Sequence, residues 1–133
     1  MAAPDDVEAI RPLKARYFRT MDTKDWAAMR AVFADDFVMD GSEAGGRAIA
    51  GADVFMAFLE RFLDGAVTVH HGHMPEIVLT SPTTATGIWA LHDIIIRPNG
   101  DRLEGYGHYH ETYVKVGGDW KIATSKLTRL HDG

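Results

Sequence analysis

The chain has 133 residues, a formal net charge of −5, 46% hydrophobic and 25% charged residues, and no cysteine. That length suits one domain with a sizeable core, and the missing cysteines exclude disulfide scaffolds, thiolate nucleophiles and cysteine-ligated zinc. No apolar run approaches the roughly 20 residues of a membrane span, the basic residues are too scattered for phosphate-backbone binding, and MAAPDDVEAIRP carries carboxylates where a secretory signal needs lysines and an apolar stretch. A soluble, cytoplasmic protein with no nucleic-acid or membrane partner is expected.

Residues 5–22 place Ile10, Leu13, Tyr17 and Met21 at helical spacing, with acidic residues in the opening turn, where the helix dipole favours them. The spacing predicts an amphipathic helix, bent or restarted at Pro12. In TKDWAAMRAVFADD, Asp25 is a candidate N-cap, and Trp26, Met29, Val32 and Phe33 form one apolar face of a second, short helix. Residues 37–51 hold two short apolar runs about a glycine-rich turn, which predicts a small hairpin. ADVFMAFLERFLDG predicts a third helix, with Val54, Phe55, Phe58, Leu59 and Phe62 on one side and Gly65 as its stop.

From Val67 onward the pattern becomes alternating. VTVHHGHMPEIVLT, TTATGIWALHDIIIRP, RLEGYGHYHETYVKV and DWKIATSKLTRL read as strands separated by the turn signals SP, PNG and GGD. Helices first and an antiparallel sheet after them is the α+β pattern. In the stretch around Trp89 both alternate sets are largely apolar: Trp89, Leu91, Asp93 and Ile95 on one, and Ile88, Ala90, His92, Ile94 and Ile96 on the other. A sheet with one wet face alternates more cleanly, so the second face is expected to be covered, most economically by another subunit in a homodimer or higher homo-oligomer.

TVHHGHM holds three of the seven histidines. Alternation puts Thr68, His70 and Gly72 on one face and His71 and His73 on the other, so the three cannot converge on one ion. His71 and His73 could pair with His108 and His110, since imidazoles at i, i+2 on neighbouring strands can bind zinc or nickel. No ligand signature accompanies that spacing, and exposed or interface histidines are the simpler reading; neither metal nor cofactor is expected. Asp93 interrupts WALHDIII, where burial is costly unless the carboxyl is near solvent, protonated or paired with a cation such as Arg129 or a protonated histidine. Taken singly, Asp22 reads as a helix-end aspartate, Tyr17 as a core tyrosine, and Lys126 and Arg129 as solvated strand-end charges.

Taken together, the order of elements and the stretches AIRPLKARYFRTMDTKDWAAMRAVFADDFVMD, TVHHGHMPEI and GHYHETYVKVGGDWKIATSKLTRL resemble the SnoaL-like members of the nuclear transport factor 2-like superfamily over nearly the whole chain. In motif the chain is nearest to bile acid 7α-dehydratase, scytalone dehydratase and hexachlorocyclohexane dehydrochlorinase. The resemblance implies one SnoaL-like domain over residues 1–133, a cone-shaped α+β barrel in which three helices pack on a strongly curved, mostly antiparallel sheet. It also implies an Asp–His dyad. His70 would be the general base and Asp22 would accept a hydrogen bond from its other ring nitrogen. Tyr17 would donate to a carbonyl or departing hydroxyl, and Asp93 with Arg129 would polarise or position the substrate. Lys126 is an alternative to Arg129, because the C-terminal alignment can slip. The dehydrochlorinase has a lysine where this chain has Tyr17, which speaks against the same dehalogenation.

The activity implied is a cofactor-independent lyase reaction, a dehydratase-type elimination on a hydrophobic, ring-containing small molecule. The alternatives are a double-bond isomerase of the ketosteroid isomerase type and a non-catalytic dimer that binds a hydrophobic ligand. Trp89, Leu91, Tyr109 and Leu127, with Phe55 and Leu59 from the third helix, are expected to line the substrate pocket.

Overall fold

A computed structural model describes residues 5–132. They form α1 (Asp5–Asp22), α2 (Trp26–Arg30), β1 (Phe33–Asp40), a 3-10 turn at Ser42–Ala44, β2 (Ala48–Ala50), α3 (Ala52–Phe62), β3 (Val67–Ser81), β4 (Thr84–Ile96), β5 (Arg102–Val116) and β6 (Asp119–Asp132). No helix among them is long and apolar enough to cross a membrane.

α1 runs through Pro12 without a restart and buries Ile10, Leu13, Tyr17 and Met21. Pro12 lies on the exposed face, where the carbonyl left without an amide donor can meet water. α2 is capped by Asp25, whose side chain accepts from the Ala28 amide at 3.3 Å. It stops at Arg30, earlier than its apolar face suggested. Val32 gives its carbonyl to the Ile122 amide at 2.9 Å, and Phe33 opens β1 beside Ile122. Both side chains are buried, but sheet pairing fixes their backbone. α3 buries Phe55 and Leu59 while Val54, expected on the same side, is 60% exposed. Gly65 follows α3 with φ of 71°, a conformation that glycine adopts at no steric cost.

The strands make one sheet in the order β2-β1-β6-β5-β4-β3, antiparallel except for the β1–β6 pair. Edge strands β2 and β3 do not pair with each other. The α+β arrangement of three helices and a mostly antiparallel sheet is the expected one, with the strongly curved barrel corrected to an open sheet. Its β3 edge is met by α1 instead of by another strand, because Asp22 accepts the His70 amide there at 2.8 Å. The helices and one sheet face enclose the core, built on Ile10, Leu13, Met29, Phe33, Phe37, Tyr113 and Ile122.

The other sheet face carries His71, His73, His92, His108, His110 and His131. The register sets His71, His92, Tyr106 and His131 in one row across four strands, and His73, Ala90, His108 and Thr128 in the next. The His92 ring stacks on Tyr106 at 4.5 Å and its Nε2 meets Glu104 at 2.7 Å. Among the described residues no three histidine, aspartate or glutamate side chains converge in a way that could hold a metal ion.

Gly72 is where α1 and the sheet approach most closely on the inner face. A methyl group there would lie 2.6 Å from Cε2 of Phe18 and 3.3 Å from Cε3 of Trp89. Gly72→Ala should therefore cost about 1–3 kcal/mol by overpacking, read as a lower midpoint in urea denaturation.

Candidate active site

The site starts at the junction of α1 and β3. Asp22, the last residue of α1, accepts three hydrogen bonds from β3: Thr68 Oγ1 at 2.9 Å, the His70 backbone amide at 2.8 Å and His70 Nδ1 at 2.7 Å. Because β3 is an edge strand, the His70 amide has no strand partner on that side, and the carboxylate supplies one. An ionised carboxylate only accepts, so Nδ1 is the donor of this contact, and in the neutral ring Nε2 keeps its lone pair. His70 is 7% exposed, and its ring lies 6.5 Å from that of Phe18 at 14° between planes.

His70 faces a cavity of about 510 Å³ whose polar inner end is formed by Tyr17, His70, Asp93, Tyr109 and Arg129. Met21, Phe55, Leu59, Leu63, Ile95 and Leu127 supply apolar walls. The site residues named from the sequence are thus brought together: four of the five line the cavity, and Asp22 stands behind His70. Phe55, Leu59, Tyr109 and Leu127 are on its wall, whereas Trp89 and Leu91 are not. Those two are corrected to core positions. They do sit on the inward face of β4, but at the end covered by α1; Trp89 Nε1 donates to the Tyr113 hydroxyl at 3.0 Å, and the cavity is lined from further along the chain, by Asp93, Ile95 and Arg97.

Asp93 is 3% exposed and pairs with Arg129 through two hydrogen bonds of 2.7 and 3.0 Å. This forked geometry offsets the cost of burying the carboxylate. Burial works against the Arg129 charge, but the bonds and the field of Asp93 hold its pKa above the ordinary value. The pair lies over Gly105, where a methyl group would run into the Arg129 guanidinium and sit 2.8 Å from Asp93 Oδ1. Lys126, the alternative to Arg129, is away from the cavity and pairs with Glu43.

The Tyr17 and Tyr109 rings meet edge-on with centroids 5.7 Å apart. Burial pushes the Tyr17 pKa well up, partly offset by the Tyr109 hydroxyl; burial and then the Tyr17 charge do the same for Tyr109. Both hydroxyls stay protonated and can donate into the cavity. Beneath them is a group the sequence reading passed over. Lys14 Nζ lies 3.7 Å from the centroid of each tyrosine ring and bonds Glu111 at 2.7 Å, with neither charged side chain exposed. Glu111 also accepts from the Tyr113 hydroxyl and Ser125 Oγ, both at 2.8 Å. Burial lowers the Lys14 pKa, and the Glu111 charge and hydrogen bond oppose that. The signal was there: Lys14 sits at helical spacing between Ile10 and Tyr17, and Glu111 lies on the alternate set of Tyr109 and Tyr113.

Removing one member of a buried pair strands the other charge. Lys14→Met should cost about 3–5 kcal/mol, and adding Glu111→Leu should recover part of that loss. Denaturation of the single and double variants checks both steps.

A family model described as a SnoaL-like domain matches residues 3–126. The protein FGR4 of Gibberella zeae, assigned as a cyclase, is 26% identical over 97% of this chain and 94% of its own length. Among solved structures, a Novosphingobium aromaticivorans protein assigned as a scytalone dehydratase superposes with a TM-score of 0.85 at 24% identity, covering 96% of this chain and 86% of the other. Hexachlorocyclohexane dehydrochlorinase LinA-type3 from Novosphingobium barchaimii gives 0.83 at 14% identity over 96% and 88%. At such identities the two structures show a common fold, while the family match spans most of the sequence. The chain belongs to the SnoaL-like domain family.

Proposed function

We propose that this protein is a cofactor-independent lyase acting on a hydrophobic, ring-containing small molecule, with His70 as general base. The observation that carries the reading is the 2.7 Å contact between Asp22 Oδ1 and His70 Nδ1 at the wall of an apolar cavity. The family, and the dehydratase, dehydrochlorinase and cyclase assignments among similar proteins, support a small-molecule lyase or cyclase type of activity.

His70 Nε2 takes a proton from a substrate carbon, and the C–H electron pair becomes the new double bond. The bond to the neighbouring leaving group breaks as that group takes its electrons. For a hydroxyl, the departing oxygen receives a proton and leaves as water, and transfer of the proton from the imidazolium restores the base. Asp22 holds the tautomer and stabilises the imidazolium during the step. Tyr17 or Tyr109 donates to the carbonyl or the departing oxygen, and Arg129, held by Asp93, faces the negative charge that develops.

The outer sheet face is proposed to carry self-association. Ile88, Ala90, Ile94 and Ile96 remain partly accessible there, beside exposed Val67 and Val69. Sedimentation equilibrium should give a mass above that of one chain, and Ile94→Glu should reduce it; a wild-type monomer at tens of micromolar would refute the interface.

For catalysis, His70→Ala and Asp22→Asn should each lower kcat/KM by at least about a hundredfold on a turned-over substrate while circular dichroism stays that of a folded protein. Product mass separates elimination, which lowers it by the leaving group, from isomerisation, which leaves it unchanged. Turnover undiminished in both variants would remove the dyad.

A further inference from the structure

The elimination uses the inner end of the cavity and leaves two guanidiniums at its mouth without a role. Arg97, the residue directly after β4, continues the alternation of Asp93 and Ile95 and lines the same cavity. At a strand rise of about 3.3 Å per residue, four residues set it roughly 13 Å from Asp93 along the chain, toward the opening. Arg47 reaches the cavity from the rim segment 41–47. Each rests on an aromatic ring of α3: Arg47 lies 5.9 Å from the Phe58 centroid and Arg97 4.6 Å from that of Phe62. The two phenylalanines stack on each other at 5.4 Å, so the guanidiniums are held on one aromatic platform.

Among the described residues neither has a carboxylate within 4.0 Å. Arg129, the other arginine of the cavity lining, does have one. Asp93, the one carboxylate on the cavity wall, is already taken by Arg129. The mouth therefore carries uncompensated positive charge at the end of an apolar cavity, in a chain whose formal net charge is −5. A guanidinium attracted to a ring face and without a carboxylate partner keeps N–H donors for an oxyanion.

We propose that the cavity takes amphipathic anions, with an apolar ring body inside and one carboxylate, sulfonate or sulfate held at the mouth by Arg97 and Arg47. This rests on reading the cavity as the substrate site and adds an anionic end to the substrate.

The test uses two fluorescent probes with the same aromatic body: 1-anilinonaphthalene-8-sulfonate, an anion, and N-phenyl-1-naphthylamine, which is neutral. In the Arg47→Met/Arg97→Met double variant the anionic probe should bind about tenfold more weakly or worse, while the neutral probe changes by less than about twofold. Leu59→Trp, which fills the cavity, should weaken both. Unchanged affinity for the anion in the double variant, equal loss of both probes, or full anion binding to Leu59→Trp would overturn the proposal. Turnover tests the dyad and probe binding tests anion recognition, so failure of one is read separately from failure of the other.

Discussion

Asp22 ties the free edge of the sheet to the end of the first helix, and the rest of the site depends on that tie. An edge strand presents backbone amides that need partners, and here one of them, the His70 amide, is satisfied by a carboxylate oxygen at 2.8 Å. The other oxygen holds the His70 ring and the Thr68 hydroxyl. One side chain therefore docks α1, protects the edge and fixes an imidazole tautomer. The same contact accounts for the open sheet, since helix packing covers the edge that closure would otherwise have paired.

Other groups at the inner end of the cavity are positioned by their neighbours, though Arg129 Nε is buried without a hydrogen-bond partner among the described residues. Asp93 and Arg129 form a fork over Gly105, and the Tyr17 and Tyr109 rings meet edge-on against the Lys14 ammonium. Such prior pairing limits reorganisation when a substrate enters. His70 Nε2 has no protein partner among the described residues, as the proposed role of general base requires. The buried Lys14–Glu111 pair lies outside the cavity lining, and its contact with both tyrosine rings makes it the floor on which they rest.

Much of this was legible in the sequence where local periodicity and burial agree. The stripe Ile10, Leu13, Tyr17, Met21 gave α1, and alternation in TVHHGH separated inward His70 from outward His71 and His73. Five dispersed polar residues could be assembled only through the family resemblance, because nothing local links Asp22 to His70 across 48 positions. The misses have physical causes. Alternation gives the face of a residue but not its distance along a strand, so Trp89 and Leu91 were placed on the wall when Ile95 and Arg97 occupy it. The end of α2 is set by pairing of Phe33 with distant β6, which helical spacing cannot register. Lys14 was overlooked because a lysine is ordinarily solvated, and its partner Glu111 is 97 residues away.

The central claim is that Asp22 holds His70 with its proton on Nδ1 and its lone pair on Nε2, directed to the cavity. Long-range ¹H–¹⁵N correlation spectra of the histidine rings at neutral pH test it most directly. The account predicts that His70 shows the Nδ1-protonated tautomer and that Asp22→Asn alters this pattern while the other six histidines keep theirs. A His70 ring protonated on Nε2 in the wild-type protein, or one indifferent to Asp22→Asn, would contradict it.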